Sequence, residues 1–211
     1  MAATTTGGLS EIRTSYNQIS EEKKDSFFGS NFNSKDNEST VEIFNDKELI
    51  GLFFSGDWCP PCRAFLPHLI DFYKEINSES KGPKFEIIFA SADKNEDDYH
   101  TYYGKMPWKA FNFQDERFNK FKNLYGVTGI PKLIILTVDG LLITKDGRND
   151  IIEKGEDAWI GWITKRDEEI EKNKTTQAAG LTNSQIQPQV SHNPSLISVE
   201  SPSKKARAVP N

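Results

Sequence analysis

Two cysteines are the residues whose type and spacing point most directly to covalent chemistry. They stand as Cys59-Pro60-Pro61-Cys62, and the 211 residues contain no other cysteine. Such a pair cannot form a disulfide scaffold and needs further ligands to hold zinc, so its spacing favours a disulfide that opens and closes. Half of a zinc site, completed by His68, His100 or His192, and an inert disulfide are the alternatives. We expect the redox pair and no metal.

The position of the pair predicts how it reacts. An apolar run over Glu48–Ser55 predicts a buried strand before it, and a helix is predicted over Pro60–Asn77. Unpartnered N–H groups and the positive end of the helix dipole lie at such a junction and favour the Cys59 thiolate. Cys62, one turn further, can displace whatever Cys59 has captured. We therefore expect Cys59 to be the nucleophile that attacks a partner disulfide and Cys62 to be the resolving thiol.

Three neighbours of the cysteines are expected to shape the site. Trp58 directly precedes the nucleophile and follows the polar stretch Gly56-Asp57, which favours an exposed indole that shields the sulfur and contacts partner chains. Packing in the core is the alternative for Trp58. Pro60 and Pro61 each lack a backbone N–H, so they change the set of donors around the Cys59 thiolate.

The elements around this junction alternate between strands and helices. A strand, a crossover helix and a second strand give a parallel pair, and Asp139-Gly140 marks an antiparallel hairpin. The expected fold class is therefore α/β, with a mixed central β-sheet flanked by helices on both faces. The remaining predicted strands are Val41–Phe44, Phe85–Ala90, Lys132–Val138 and Leu141–Thr144, and the remaining helices are Glu96–Tyr103, Asp115–Tyr125 and Glu156–Lys172.

The two ends of the chain differ from its middle. All aromatic residues lie between Tyr16 and Trp162, and residues 173–211 are rich in Asn, Gln, Ser, Thr and Pro. This composition predicts a disordered polar tail, whose basic cluster at 204–207 serves solubility or, alternatively, docking or localisation.

The domain itself is predicted to span residues 9–172, with its core at 41–146. Residues 1–8 are expected to be a disordered N-terminus. Apolar residues spaced by three and four from Leu9 to Ile19 predict a short helix that lies on the domain or binds a partner.

Charge and hydropathy argue against several classes of protein. The formal net charge is −5, which argues against a nucleic-acid partner. No apolar run approaches the roughly 20 residues of a membrane span, and Met1–Gly8 lacks the apolar core of a signal peptide. We expect a cytoplasmic protein, with the nucleus as the alternative. No glycine fingerprint for a nicotinamide nucleotide is present, so no organic cofactor is expected.

Several segments taken together resemble the thioredoxin superfamily, and within it the tryparedoxin and nucleoredoxin branch. The resemblance covers roughly Val41–Asp146, and the combination of motifs is more specific than the cysteine spacing alone. The segments are Phe53–Ser55, Trp58–Arg63, Phe65–Pro67, Phe85–Phe89 with Asp93, Lys105–Trp108 and Gly129–Pro131.

This resemblance implies a thioredoxin-like fold in which Ile130-Pro131 is a cis peptide that faces the dithiol. The backbone of Ile130 would then be free to pair with a substrate strand. Phe53 stands where thioredoxin has a buried aspartate, so deprotonation of Cys62 would use water or a nearby carboxylate such as Asp93, for which a loop or capping role is the alternative. Lys132 follows the proline, where threonine is frequent, and either faces the active surface or points to solvent.

The resemblance also implies a thiol–disulfide oxidoreductase. Its acceptors would be peroxiredoxins or other protein disulfides, and its electron donor a low-molecular-weight thiol such as glutathione, a dithiol, or a reductase. The alternative is a non-catalytic interaction module that its N- and C-terminal extensions dock to a larger assembly.

Overall fold

A mixed sheet forms the centre of the computed structural model, which describes residues 27–29, 31–33, 43–44, 46–82 and 84–178. Its order is β3-β2-β1-β4-β5, in which β2 is parallel to β1 and β3, whereas β4 is antiparallel to β1 and β5. The strands are Leu49–Ser55 (β1), Phe85–Ser91 (β2), Lys109–Ala110 (β3), Lys132–Leu136 (β4) and Leu142–Thr144 (β5).

Helices cover both faces of this sheet. Because alternate side chains of a strand point to opposite faces, β1 sends Phe53 into one apolar cluster with Trp162 and Phe54 into another with Phe121. The mixed sheet flanked by helices is therefore confirmed. The helices are Pro60–Ile76 (α1), Glu96–Tyr103 (α2), Glu116–Tyr125 (α3), Gly147–Lys154 (α4) and Asp157–Ala178 (α5).

The predicted hairpin is also confirmed. Strands β4 and β5 pair as antiparallel neighbours on either side of the Asp139-Gly140 turn. The amide of Gly140 donates to the carbonyl oxygen of Thr137 at 3.0 Å, and Gly140 has a φ of +89°, which a residue with a side chain rarely adopts.

The strand predicted at Val41–Phe44 is wrong for the part that the structure describes, because Ile43 and Phe44 are helical. Both are buried, and the ring of Phe44 stacks on that of Phe28 at 5.0 Å. These apolar side chains cover one face of the sheet instead of joining it, so packing outweighs their strand propensity. The N-terminal segment pairs with the sheet elsewhere, through a bridge between Asn33 and Ala110.

The last helix extends past the predicted boundary at Lys172 and ends at Ala178, so the first residues of the predicted tail are helical. The chain divides into two units, 1–173 and 174–211, and of the second only residues 174–178, the end of this helix, are described. The predicted N-terminus 1–8, the helix from Leu9 to Ile19 and the tail beyond Ala178 lie outside the described residues. No described helix is both long and apolar enough to cross a membrane.

Candidate active site

The two cysteines lie where β1 ends and α1 begins. Cys59 is the N-cap residue of α1, with extended backbone angles, and Cys62 lies in the first turn. They form a disulfide whose Cα atoms are 5.2 Å apart, within the usual range. Cys59 is 4% exposed and Cys62 is fully buried at 0%. Cys59 is therefore the less buried of the two cysteines.

The backbone at this helix start differs from the simple expectation for a thiolate site. Pro60 and Pro61 occupy the first two helical positions and carry no N–H. The next two amides, those of Cys62 and Arg63, donate to the carbonyl oxygen of Cys59 at 3.0 and 3.1 Å. The backbone therefore contributes mainly the field of the helix dipole at the Cys59 sulfur, because these amides are missing or already engaged.

The loop that leads into β4 completes the site. The Ile130-Pro131 bond is cis, which confirms the expectation drawn from the resemblance. The carbonyl oxygen of Ile130 lies 3.9 Å from the sulfur of Cys59. Strand β4 starts at Lys132, which pairs with Phe54 one residue before the end of β1. The sheet register therefore holds this loop against the disulfide.

Trp58 lies at the surface, which rules out core packing for this residue. Its side chain is 52% exposed, and its indole N–H donates to the carbonyl oxygen of Ala92 at 2.9 Å. The ammonium group of Lys94 lies 5.8 Å from the centre of the indole ring. The ring is therefore fixed in orientation while one side stays accessible beside Cys59, and its contact with partners stays a prediction.

Asp93 organises the loop that carries Trp58. Its carboxylate accepts hydrogen bonds from the amide of Asp57 at 2.7 Å and from the hydroxyl of Ser91 at 2.8 Å. Burial raises the pKa of Asp93, against the opposing effect of the Ser91 hydrogen bond. These contacts give Asp93 the loop role that was the alternative to a role in deprotonating Cys62.

Aromatic side chains surround Phe53, which lies two residues before the end of β1. Phe53 is fully buried, and its ring lies 6.0 Å from Phe65, 6.2 Å from Phe89 and 6.2 Å from Trp108. Trp108 is 1% exposed, so it packs in the core and offers no surface to a substrate. The position that holds an acid in thioredoxin is part of an apolar cluster in this chain.

Cations surround the site, and sequence reasoning singled out only one of them. Lys132 forms an ion pair with Asp146 at 3.0 Å, so its charge is directed to that carboxylate. Lys105 pairs with Asp57 at 3.3 Å, and the guanidinium of Arg63 donates to the carbonyl oxygen of Asp57. The position of Arg63 directly after Cys62 was a signal that could have placed it at the site. The pairing of Lys105 with Asp57 joins residues 48 positions apart, so no local pattern indicates it.

No metal-binding cluster of three or more His, Cys, Asp or Glu side chains occurs among the residues that the structure describes. His100 lies 3.6 Å from Glu96 on α2, and His68 lies on the exposed side of α1. His192 lies outside the described residues. The described contacts therefore give no support to a zinc site at the cysteine pair.

The geometry agrees with comparisons to known proteins. A family model described as thioredoxin-like matches residues 46–142. Tryparedoxin of Trypanosoma brucei brucei is 39% identical over 117 residues, which are 54% of this chain and 79% of that protein. The chain belongs to the thioredoxin-like family. This membership confirms the resemblance to the tryparedoxin and nucleoredoxin branch and the thioredoxin-like fold.

Other thioredoxin-like relatives extend the comparison. Nucleoredoxin of Bos taurus is 39% identical over 129 residues, 61% of this chain but 29% of that protein. The chain thus spans less than a third of the nucleoredoxin length. A solved tryparedoxin from Trypanosoma brucei, 36% identical, covers 68% of this chain and 99% of its own with a TM-score of 0.59. A solved tryparedoxin II complexed with glutathionylspermidine is 30% identical, covers 65% of this chain and 94% of its own, and has a TM-score of 0.56.

Proposed function

We propose that this member of the thioredoxin-like oxidoreductase family is a protein-disulfide reductase that acts through Cys59 and Cys62. The observation that carries the proposal is the disulfide at the start of α1, in which Cys59, at 4% exposed, is the less buried cysteine. The alternative assignment, with Cys62 as nucleophile, is disfavoured because no part of Cys62 reaches solvent.

The cycle begins with the reduced pair. The Cys59 thiolate attacks one sulfur of a partner disulfide, which forms a mixed disulfide and releases the other partner sulfur as a thiolate. Cys62 then loses its proton, and its thiolate attacks the Cys59 sulfur and expels the second partner thiolate. The partner has gained two electrons, and the Cys59–Cys62 disulfide is restored.

An extended segment of the partner is the kind of substrate that this site accommodates. The Ile130 carbonyl oxygen, 3.9 Å from the Cys59 sulfur, is an acceptor for a backbone N–H of that segment. On the other side, the exposed indole of Trp58 offers an apolar surface for neighbouring side chains. Backbone pairing would give affinity for many sequences, and contact with the indole would add selectivity.

Two electrons must return to the Cys59–Cys62 disulfide after each turnover. We propose a low-molecular-weight thiol or a reductase as the donor, and the solved tryparedoxin II complexed with glutathionylspermidine supports the first class. Peroxiredoxins or other protein disulfides would be the acceptors. The thiol exchange itself uses no cofactor or metal beyond the cysteine pair. A reducing compartment fits this cycle, so the proposal includes a cytoplasmic location, with the nucleus as the alternative.

Insulin reduction tests the activity. With dithiothreitol as donor, the wild-type chain should accelerate insulin precipitation, and the Cys59→Ser variant should be inactive. A Ser55→Ala variant, changed in a buried residue that ends β1, serves as a folding control that keeps both thiols. Equal rates with and without wild-type protein would contradict the reductase and favour the interaction module.

A trapping experiment tests the order of the two thiols. The Cys62→Ser variant should accumulate partners as mixed disulfides on Cys59, because nothing remains to resolve them. Mass spectrometry of these adducts would also identify the acceptors. Adducts that form equally on Cys62 in the Cys59→Ser variant would overturn the assignment of the nucleophile.

A further inference from the structure

A groove separate from the cysteine pair runs between α1 and α4. It has a cavity volume of about 550 Å³ and is lined by His68, Asp71, Phe72, Glu75, Ile151 and Ile152, with Gly155 and Glu156 at one end. None of these residues contributes to the disulfide site described above. We refer to it as the acidic groove.

The floor of the acidic groove is apolar. Phe72 and Ile151 are buried, but Ile152 is 53% exposed, one of few large apolar side chains so exposed in the described part of the chain. A side chain at Gly155 would have no neighbour within 4 Å, so this end of the groove is open. An apolar side chain of a partner can therefore rest against Ile152 and remove it from water.

The rim of the acidic groove carries more carboxylates than cations. Asp71, Glu75 and Glu156 line it, and the ammonium group of Lys81 lies 2.6 Å from Glu75 and 3.3 Å from Glu156. One ammonium thus faces two carboxylates while Asp71 adds a third. This excess of negative charge complements a segment rich in Lys or Arg.

The groove lies along the same helix as the reactive pair. At a rise of about 1.5 Å per residue, His68 and Glu75 lie roughly 9 and 20 Å along α1 from Cys62. A protein whose disulfide is held at Cys59 can therefore extend along α1 and reach the acidic groove with a segment a few residues away.

We propose that the acidic groove is a second contact site for disulfide substrates and takes a basic segment with an apolar residue. The apolar side chain packs on Phe72 and Ile152, and Lys or Arg side chains approach Asp71 and the two carboxylates that share Lys81. This inference rests on the proposed reductase activity, and it names the substrates that the enzyme prefers: disulfides flanked by basic amphipathic sequence.

Two synthetic peptides with the same disulfide loop test the preference. One carries a Lys-Leu-Lys-Lys extension and the other a Glu-Leu-Glu-Glu extension. We expect kcat/KM to be about fivefold to tenfold higher for the basic peptide at low ionic strength, and the ratio to fall towards one in about 0.5 M salt. Equal kcat/KM values at low salt would overturn the inference.

Matched variants locate the effect. Glu75→Gln with Glu156→Gln should abolish the preference, whereas Glu79→Gln with Glu168→Gln, changed at exposed positions outside the groove, should retain it. Ile152→Asn should raise KM for the basic peptide, whereas Ile160→Asn, at a position that is 63% exposed but outside the groove, should not. A preference that survives the groove variants would also overturn the inference.

A binding measurement separates this inference from the reductase proposal. A fluorescent Lys-Leu-Lys-Lys peptide without cysteine should bind the Cys59→Ser protein, and binding should weaken in the Glu75→Gln/Glu156→Gln background. If the wild-type protein turns over neither disulfide peptide but the fluorescent peptide still binds, the reductase proposal is contradicted and the groove remains a binding site. If both disulfide peptides are turned over but the fluorescent peptide shows no salt-dependent binding, the groove proposal is contradicted and the reductase proposal stands.

Discussion

The carbonyl oxygen of Ile130 lies 3.9 Å from the sulfur of Cys59, although 71 positions separate the two residues in the chain. Sheet topology brings them together. Strand β4 runs antiparallel to β1, so the start of β4 meets the end of β1, with Lys132 opposite Phe54. The reactive sulfur and the acceptor for a substrate backbone are therefore fixed by one pair of hydrogen-bonded strands.

Trp58 provides the first test of the substrate surface. Because its indole is 52% exposed, Trp58→Ala should change the free energy of unfolding little but lower kcat/KM for insulin about tenfold, since an aromatic contact with the partner is lost. Trp58→Phe keeps a ring but loses the hydrogen bond to Ala92, so its kcat/KM should lie in between. A small aromatic disulfide serves as the control substrate and should be reduced at nearly the same rate. Unchanged kcat/KM for insulin in Trp58→Ala would count against the contact.

Glu86 makes stability depend on pH. Its burial in β2 raises the pKa to about 7 from 4.5, against the opposing charges of Lys47 and Lys109. The folded state therefore holds a proton that the unfolded state releases, and the free energy of unfolding falls as the pH rises from about 4.5 to 7. Glu86→Gln keeps an acceptor for the Ile87 amide but cannot ionise. Relative to wild type, the free energy of unfolding of this variant should rise by up to about 3 kcal/mol as the pH increases from about 4.5 to 7.

Urea unfolding between about pH 4.5 and 8 measures this effect. The matched control is Glu168→Gln, the same substitution at an exposed position on α5. If Glu86→Gln and wild type show parallel pH profiles, Glu86 does not titrate in this range.

The bounds of helices and strands could be predicted from the sequence where the capping and turn residues lie next to them in the chain. Helix α2 matches its predicted bounds, Glu96–Tyr103, because Asn95 caps it and three acidic residues follow in its first turn. Helix α3 ends as predicted, at Tyr125, and Gly126 follows in the left-handed conformation. The cysteine pair and the Ile130-Pro131 loop were also identified, the first from its spacing and the second from the resemblance.

Other features depend on contacts that no local pattern reveals. The short helix Gly147–Lys154 was missed because it starts with a glycine and buries little beyond Ile151. The two-residue strand Lys109–Ala110 is defined by its pairing with β2. At the site, the carbonyl oxygen of Ala92 that fixes Trp58 is a backbone group 34 positions away, and sequence patterns carry no signal for it.

Arg117 attaches the N-terminal segment to the sheet domain. Its guanidinium donates to the carbonyl oxygens of Phe28 at 3.2 Å and Asn31 at 2.8 Å, and it stacks on the ring of Phe111 at 4.5 Å. Arg117→Lys cannot reproduce the planar fork, so it should lower the free energy of unfolding by about 1–3 kcal/mol and speed proteolysis near Phe28. Lys122→Arg, on the same helix but exposed, is the control. Unchanged proteolysis would show that the segment is held by other contacts.

Arg166 joins the last helix to the start of β1 across 118 positions of the chain. It is 3% exposed and donates to Glu48 at 2.8 Å and to Asp167 at 2.7 Å. Arg166→Met leaves the Glu48 carboxylate, only 13% exposed, with Lys84 at 3.5 Å as its remaining cation, and should lower the free energy of unfolding by about 1–3 kcal/mol. Adding Glu48→Gln to Arg166→Met removes both charges, so the double variant should lose less stability than the two single variants together. Urea unfolding measures the double variant and both single variants, with Lys165→Ala at the neighbouring exposed position as the control. A double variant as unstable as the sum of its single variants would show that the two side chains do not interact.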